Sequence, residues 1–185
     1  SSVIIGLGVS SSVSTTNYSY RIDATSTATS ISRTTGWHNL VFDYRSGTGV
    51  TLYIDQTEVA SSPTETSFNH IILGDTWSTS ISNAYFDDVS VQDELPWTPF
   101  TPPPITPPPG PQSLYLTEGF ESGFIDWTVK YGPSSGPTAD TTQKHGGSYS
   151  YKPASDQDAI EYSWRNKPNI NKVAVVWFYD DAADI

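Results

Sequence analysis

The sequence predicts an all-β fold, an antiparallel sandwich, and three observations carry that expectation. Short apolar or alternating runs recur at even spacing, separated by Gly, Asn, Asp and Ser turn signals. Ser and Thr are abundant, aromatics make up 13% of the 185 residues, and Tyr and Trp outnumber Phe, a composition suited to half-buried pleated surfaces. No segment sustains a helical period with capping residues at its ends.

The strands follow in order. Residues 3–9, Val-Ile-Ile-Gly-Leu-Gly-Val, form a short continuous apolar run, read as a strand buried on both faces or paired at its edge. Tyr18 to Asp23 alternates Tyr, Tyr and Ile with Ser, Arg and Asp. Trp37 to Tyr44 alternates again after the Thr35-Gly36 turn. Its His38, Leu40, Phe42, Tyr44 set is more apolar than its Trp37, Asn39, Val41, Asp43 set and is expected to face the core. Ser46-Gly-Thr-Gly49 reads as a hairpin loop, Val50 to Asp55 as its return strand, and Asp55-Gln56 as the next turn. Phe68 to Leu73 and Ala84 to Val91 are further strands. Later strands are expected near 114–117, 126–131, 148–152, 158–164 and 172–179.

Residues 96–112 divide the chain into segments 1–95 and 113–185. Nine of the sixteen residues from Pro96 to Pro111 are proline. Such a stretch has few backbone donors and favours polyproline II, so it reads as a semi-rigid spacer, roughly 50 Å long at ~3.1 Å per residue. Thr98, Thr101 and Thr106 among these prolines suit O-glycosylation.

Net charge is −11, shared by both segments: ten acidic and three basic residues lie in 1–95, ten and six in 113–185. That excludes the basic footprint of a nucleic-acid binder. No apolar run is long enough to span a bilayer. Cysteine and methionine are absent, so no disulfide staples the segments; together with few Lys and much Ser and Thr this suits an extracellular or cell-surface protein. A chain beginning at Ser1, without Met, reads as a mature or processed form.

The sequence resembles the concanavalin A-like lectin/glucanase superfamily, in particular the LamG-like jelly-roll repeats of secreted microbial proteins. The likeness rests on Phe120-Glu-Ser-Gly123 with Trp127, His145-Gly-Gly-Ser-Tyr149, Trp177-Phe-Tyr-Asp-Asp181, Gly36-Trp-His38, Leu52-Tyr-Ile-Asp55 and Phe86-Asp-Asp-Val89. Each piece occurs once, but the order is reversed. The opening half of such a repeat lies in 113–185 and its closing half in 1–95, and reading Ile185 on into Ser1 gives a continuous strand-like stretch. The resemblance implies a jelly-roll sandwich present as two complementary half-domains, circularly permuted or cut from a tandem array.

Half a sandwich exposes a sheet face and unpaired edges. The halves can close within one chain, between successive chains, or along a covalent array. Closure between chains is head-to-tail and builds an open filament unless its rotation closes a ring. The expected function is therefore an extracellular, non-enzymatic structural protein that pairs with itself. The alternative is a carbohydrate-binding, lectin-like module.

Glu118, Glu121, Asp87 and Asp88 are the candidate metal ligands. In related jelly rolls the first and last strands lie together, and the resemblance implies structural calcium held there, with carbonyls near His145 to Ser148 assisting. Trp77, Trp37 and Tyr18 are candidates for stacking sugar rings, if exposed. Asn17-Tyr-Ser19 matches an N-glycosylation acceptor. Asp180, Asp181 and Asp184 suggest paired catalytic carboxylates. The related glucanases, however, carry a Glu-x-Asp-x-x-Glu strand that is missing here, so these acids read better as loop or strand-joint residues. His38, His70 and His145 have no metal spacing.

Overall fold

The computed structural model describes residues 4–45, 47–64, 68, 70–74, 84–93, 114–124, 126–131, 139–153, 158–163 and 172–182. Among them there is no helix, only fourteen strands. Segment 1–95 supplies β1 (Ile5–Ser10), β2 (Ser14–Ile22), β3 (Thr25–Ser32), β4 (Gly36–Arg45), β5 (Gly49–Ile54), β6 (Thr57–Ser62), β7 (His70–Gly74) and β8 (Tyr85–Asp93). Segment 113–185 supplies β9 (Leu114–Glu118), β10 (Thr128–Tyr131), β11 (Ala139–Asp140), β12 (Ser150–Tyr151), β13 (Ala159–Ser163) and β14 (Lys172–Asp180).

The largest sheet runs β11-β12-β8-β14-β4-β5-β6, and β9 also pairs with β8. All its ladders are antiparallel. Two three-stranded sheets, β1-β2-β3 and β10-β13-β7, complete the described structure. Their apolar faces pack on the large sheet, giving the layering of a β-sandwich. The main cluster joins Tyr18 of β2, Leu73 of β7 and Ile160 of β13 to Leu40, Val89, Val176 and Phe178 of the large sheet.

The two segments share sheets. β14 lies between β4 and β8, in register from Lys172↔Tyr44 to Asp180↔Gly36 on one side and from Lys172↔Asp93 to Tyr179↔Tyr85 on the other. Likewise β13 pairs with β7. Central placement explains the apolar character of β14: Ala174, Val176 and Phe178 are buried on the core face, and burying a Val or Phe side chain is worth about 1.5–3 kcal/mol.

Every strand expected from the sequence is present, and β1 is an edge strand. On β4 the expected core face is buried at His38, Leu40 and Tyr44, but Val41 and Asp43 on the opposite face are buried too. Arg45, two residues on, donates to both oxygens of Asp43 at 2.6 and 2.9 Å. Asp55 and Gln56 both have positive φ, 47° and 68°, the backbone of a two-residue type I′ hairpin. This turn returns the chain into β6, which, like β3 and β11, is not among the strands the sequence predicts. The spacer 96–112, Trp77, Thr98, Thr101, Thr106, Asp184 and the ends Ser1 and Ile185 lie outside the described residues.

Candidate functional site

The four predicted metal ligands do come together. β8 and β9 are paired through Val89↔Glu118, which sets Asp87 and Asp88 beside Glu118 and the turn carrying Glu121. Between Val175 and Trp177 of β14 the register with β8 shifts, because β8 carries one extra residue there. Asp88 sits in this bulge at φ 44°. The bulge brings both Asp87 and Asp88 to the 145–149 loop.

That loop meets the carboxylates with N–H donors instead of the carbonyls expected for a cation site. Asp87, fully buried, accepts from the backbone N–H of Asp88 (2.8 Å), His145 (2.9 Å) and Gly146 (3.1 Å). Burial pushes its carboxyl above the ordinary range, and the three donors only partly oppose this. Glu121 Oε1 accepts from the N–H of Ser148 (2.7 Å) and Tyr149 (2.9 Å). Glu118 accepts from the N–H of Phe120 (2.6 Å) and from Trp127 Nε1 (3.3 Å). Asp88 Oδ2 lies 2.7 Å from His145 Nδ1. Among the described residues no group of three or more acidic or histidine side chains is arranged to hold a metal ion.

The glycines of His145-Gly-Gly-Ser-Tyr149 permit the close approach. A Cβ on Gly146 would lie 2.9 Å from Asp88 Oδ2, and one on Gly147, at φ 55°, 2.3 Å from Glu121 Oε1. Phe120 is held at φ 58° while fully buried, a costly backbone for a bulky residue that the Glu118 bond and the aromatic packing of Phe124 and Trp127 sustain.

A second constellation lies where β4, β14 and β8 run side by side. Trp37, Tyr179 and Tyr85 form one cross-strand row, with ring centroids 5.5 and 5.7 Å apart and edge-to-face tilts of 70° and 85°. One row on, Trp177 is opposite Asn39. His145 stacks on Trp177 at 3.8 Å and meets Trp37 edge-on at 5.6 Å. Trp37, Asn39, Trp177 and Tyr179 are half-buried. Of the sugar-stacking candidates among the described residues, Trp37 belongs to this surface. Tyr18 does not: it is fully buried in the core, with its hydroxyl donating to the Thr34 carbonyl at 3.3 Å and accepting from the Thr34 N–H at 3.4 Å. Its alternation pattern marked it as apolar, and burial follows from that pattern. Asn17 donates its side-chain N–H to the Thr29 carbonyl at 2.9 Å, so the nitrogen a glycan would modify is engaged in the β2–β3 hairpin.

No family model, curated protein or solved structure matches this chain. What it does therefore rests on its own geometry.

The segment joint itself holds a buried ion pair that sequence reasoning did not find. Arg33, after β3, donates through Nε and Nη2 to Asp180 at the end of β14, at 2.8 and 2.6 Å. Both side chains are almost completely buried, at 4% and 3% exposure. Burial raises the Asp180 carboxyl, but the Arg33 guanidinium outweighs it and holds the group below the ordinary range. Asp180 reads as a strand-joint acid; Asp181 accepts from Thr35 Oγ1 through its carbonyl at 2.7 Å. Nothing in the sequence links positions 33 and 180, which are brought together only by the insertion of β14.

Proposed function

We propose that the chain is a structural, non-enzymatic unit of an extracellular or cell-surface fibre. In this reading 1–95 and 113–185 are the two halves of a LamG-like jelly-roll sandwich, and the halves of successive chains complete one another head to tail. The observation that supports it is the place of β14, a strand of the second segment lying between two strands of the first. A sheet that needs a distant segment at its centre leaves that centre open to the same segment of another copy. Negative-stain microscopy and size-exclusion chromatography at micromolar concentration are expected to show strings of chains. A folded species of single-chain mass at every concentration would overturn the proposal.

The aromatic surface favours a second reading, a glycan-binding module. Trp37 and Tyr179 combine ring faces with an indole N–H or phenol hydroxyl, and Asn39 adds an amide, the mixture that stacks and hydrogen-bonds a sugar, while His145 covers a face of Trp177. Binding on a glycan array that is lost in Trp37→Ala, with the fold intact by circular dichroism, supports this reading. An array without signal, for protein that forms strings, leaves the first.

A further inference from the structure

His38 stands behind the joint, on β4, with its side chain 9% exposed. Its two ring nitrogens face oxygens that cannot donate. Nδ1 is 2.6 Å from Asp55 Oδ2, in the β5–β6 turn, and Nε2 is 2.9 Å from the carbonyl oxygen of Thr34. A neutral imidazole has one N–H, so it satisfies only one of these contacts; the imidazolium satisfies both. The Asp55 carboxylate also accepts from the Asn39 N–H at 2.8 Å, which keeps it an acceptor.

Thr34 belongs to the short connection 33–35 that reaches the second segment. Arg33 grips Asp180 and Thr35 reaches the Asp181 carbonyl, while Thr34 is tied to His38 and to Tyr18. The geometry points to a proton-controlled latch: a proton on His38 holds the 33–35 connection against the end of β14, and its loss loosens that end of the joint. On deprotonation the proton leaves to water and the bare Nε2 lone pair faces the Thr34 carbonyl. One donor stands within reach to replace it, the Thr34 hydroxyl at 3.3 Å.

The other charged or titratable groups around His38 are few and mostly favour the proton. Asp55 faces it from the β5–β6 turn, and Asp180, paired with Arg33, acts from β14. Tyr18, from β2, packs its ring 5.1 Å from the imidazole and stays neutral because burial drives its hydroxyl far up. Consistent with this, the Asp55 hydrogen bond raises His38 above its ordinary value of 6.5, against the opposing effect of burial. The sign follows: a raised histidine contributes stability that is complete below about 6.5 and is lost as pH rises through its folded value. The latch goes beyond the fibre reading, because it acts on β14 whichever chain supplies that strand.

The test is a pH series on the full chain. Ring resonances of His38 followed by NMR are expected to titrate above the ordinary histidine value; titration at or below it overturns the latch outright, with no variant needed. Amide exchange of residues 172–180, corrected for intrinsic rates and referred to residues 49–54, is expected to quicken as that titration proceeds. The expected change is about tenfold for each unit separating the folded and unfolded pKa. His38→Gln, uncharged throughout, is expected to abolish this pH dependence, and Thr34→Val, which removes the substitute donor, to steepen it. The same pH dependence in His38→Gln, or an unchanged one in Thr34→Val, counts against the latch.

Discussion

Asp180 and Arg33 show how unevenly a buried pair responds to substitution. Asp180→Ala leaves a guanidinium buried without its carboxylate, with an expected loss of about 3–5 kcal/mol by urea denaturation. Removing both charges with apolar residues, in Arg33→Met with Asp180→Leu, is expected to cost clearly less than the single change, because no uncompensated charge remains. The pair also sets the acid side of stability. Asp180 is depressed in the folded state, so its contribution is present above the ordinary carboxylate pKa and is lost as pH falls through the folded value. With His38 acting in the opposite sense, stability by urea midpoint is expected to be greatest at mildly acidic pH and to fall on both sides. A midpoint that keeps rising from pH 6 to 9 contradicts this assignment. At Gly147 the constraint is steric: alanine would meet Glu121 Oε1 at φ 55°, and a left-handed backbone with a Cβ costs about 1–2 kcal/mol, readable as a lowered melting temperature.

At the scale of elements, β14 carries the most consequential packing. Phe178 is 2% exposed and meets Phe86 at 5.5 Å, so Phe178→Ala is expected to cost about 3–5 kcal/mol. Val175→Ala, half-buried on the other face, is expected to cost much less, and equal costs would deny the assigned orientation of the strand. Legibility in the sequence follows the same alternation. β2 and β4, by alternation, and β14, by its near-continuous apolar run, were readable as strands, and β4 also with its faces. β3 and β6 were not, since Thr25–Ser32 and Thr57–Ser62 are Ser- and Thr-rich edge strands held by ladder bonds more than by burial. The candidate site was half readable. Strand pairing brought Asp87, Asp88, Glu118 and Glu121 together, but whether a loop offers carbonyls or N–H groups depends on backbone turns at Gly146 and Gly147 that residue types do not encode. Tyr18 was misplaced because an aromatic side chain suits a ligand and a core equally well until its strand is given a face.

At the scale of the whole molecule, the spacer and the fold make opposite demands. Gln92 and Leu114 are register partners in the β8–β9 ladder, so the two ends of the connecting stretch lie about 5 Å apart. The connecting stretch is the proline-dense one, whose preferred extended form separates its ends by roughly 50 Å. Closing it within one chain works against that preference; joining it to the next chain does not. Replacing residues 96–111 by a Gly/Ser sequence of equal length changes the balance without touching a described residue. A flexible chain of this length has an end-to-end distance of about 20–24 Å and returns on itself far more readily. The replaced protein is therefore expected to run mainly at single-chain mass, at concentrations where the original forms strings. Restoring the prolines one triplet at a time should restore the strings in proportion. If the original and the replaced chain show the same single-chain mass at every concentration, the sandwich closes on itself and β14 is never exchanged between copies.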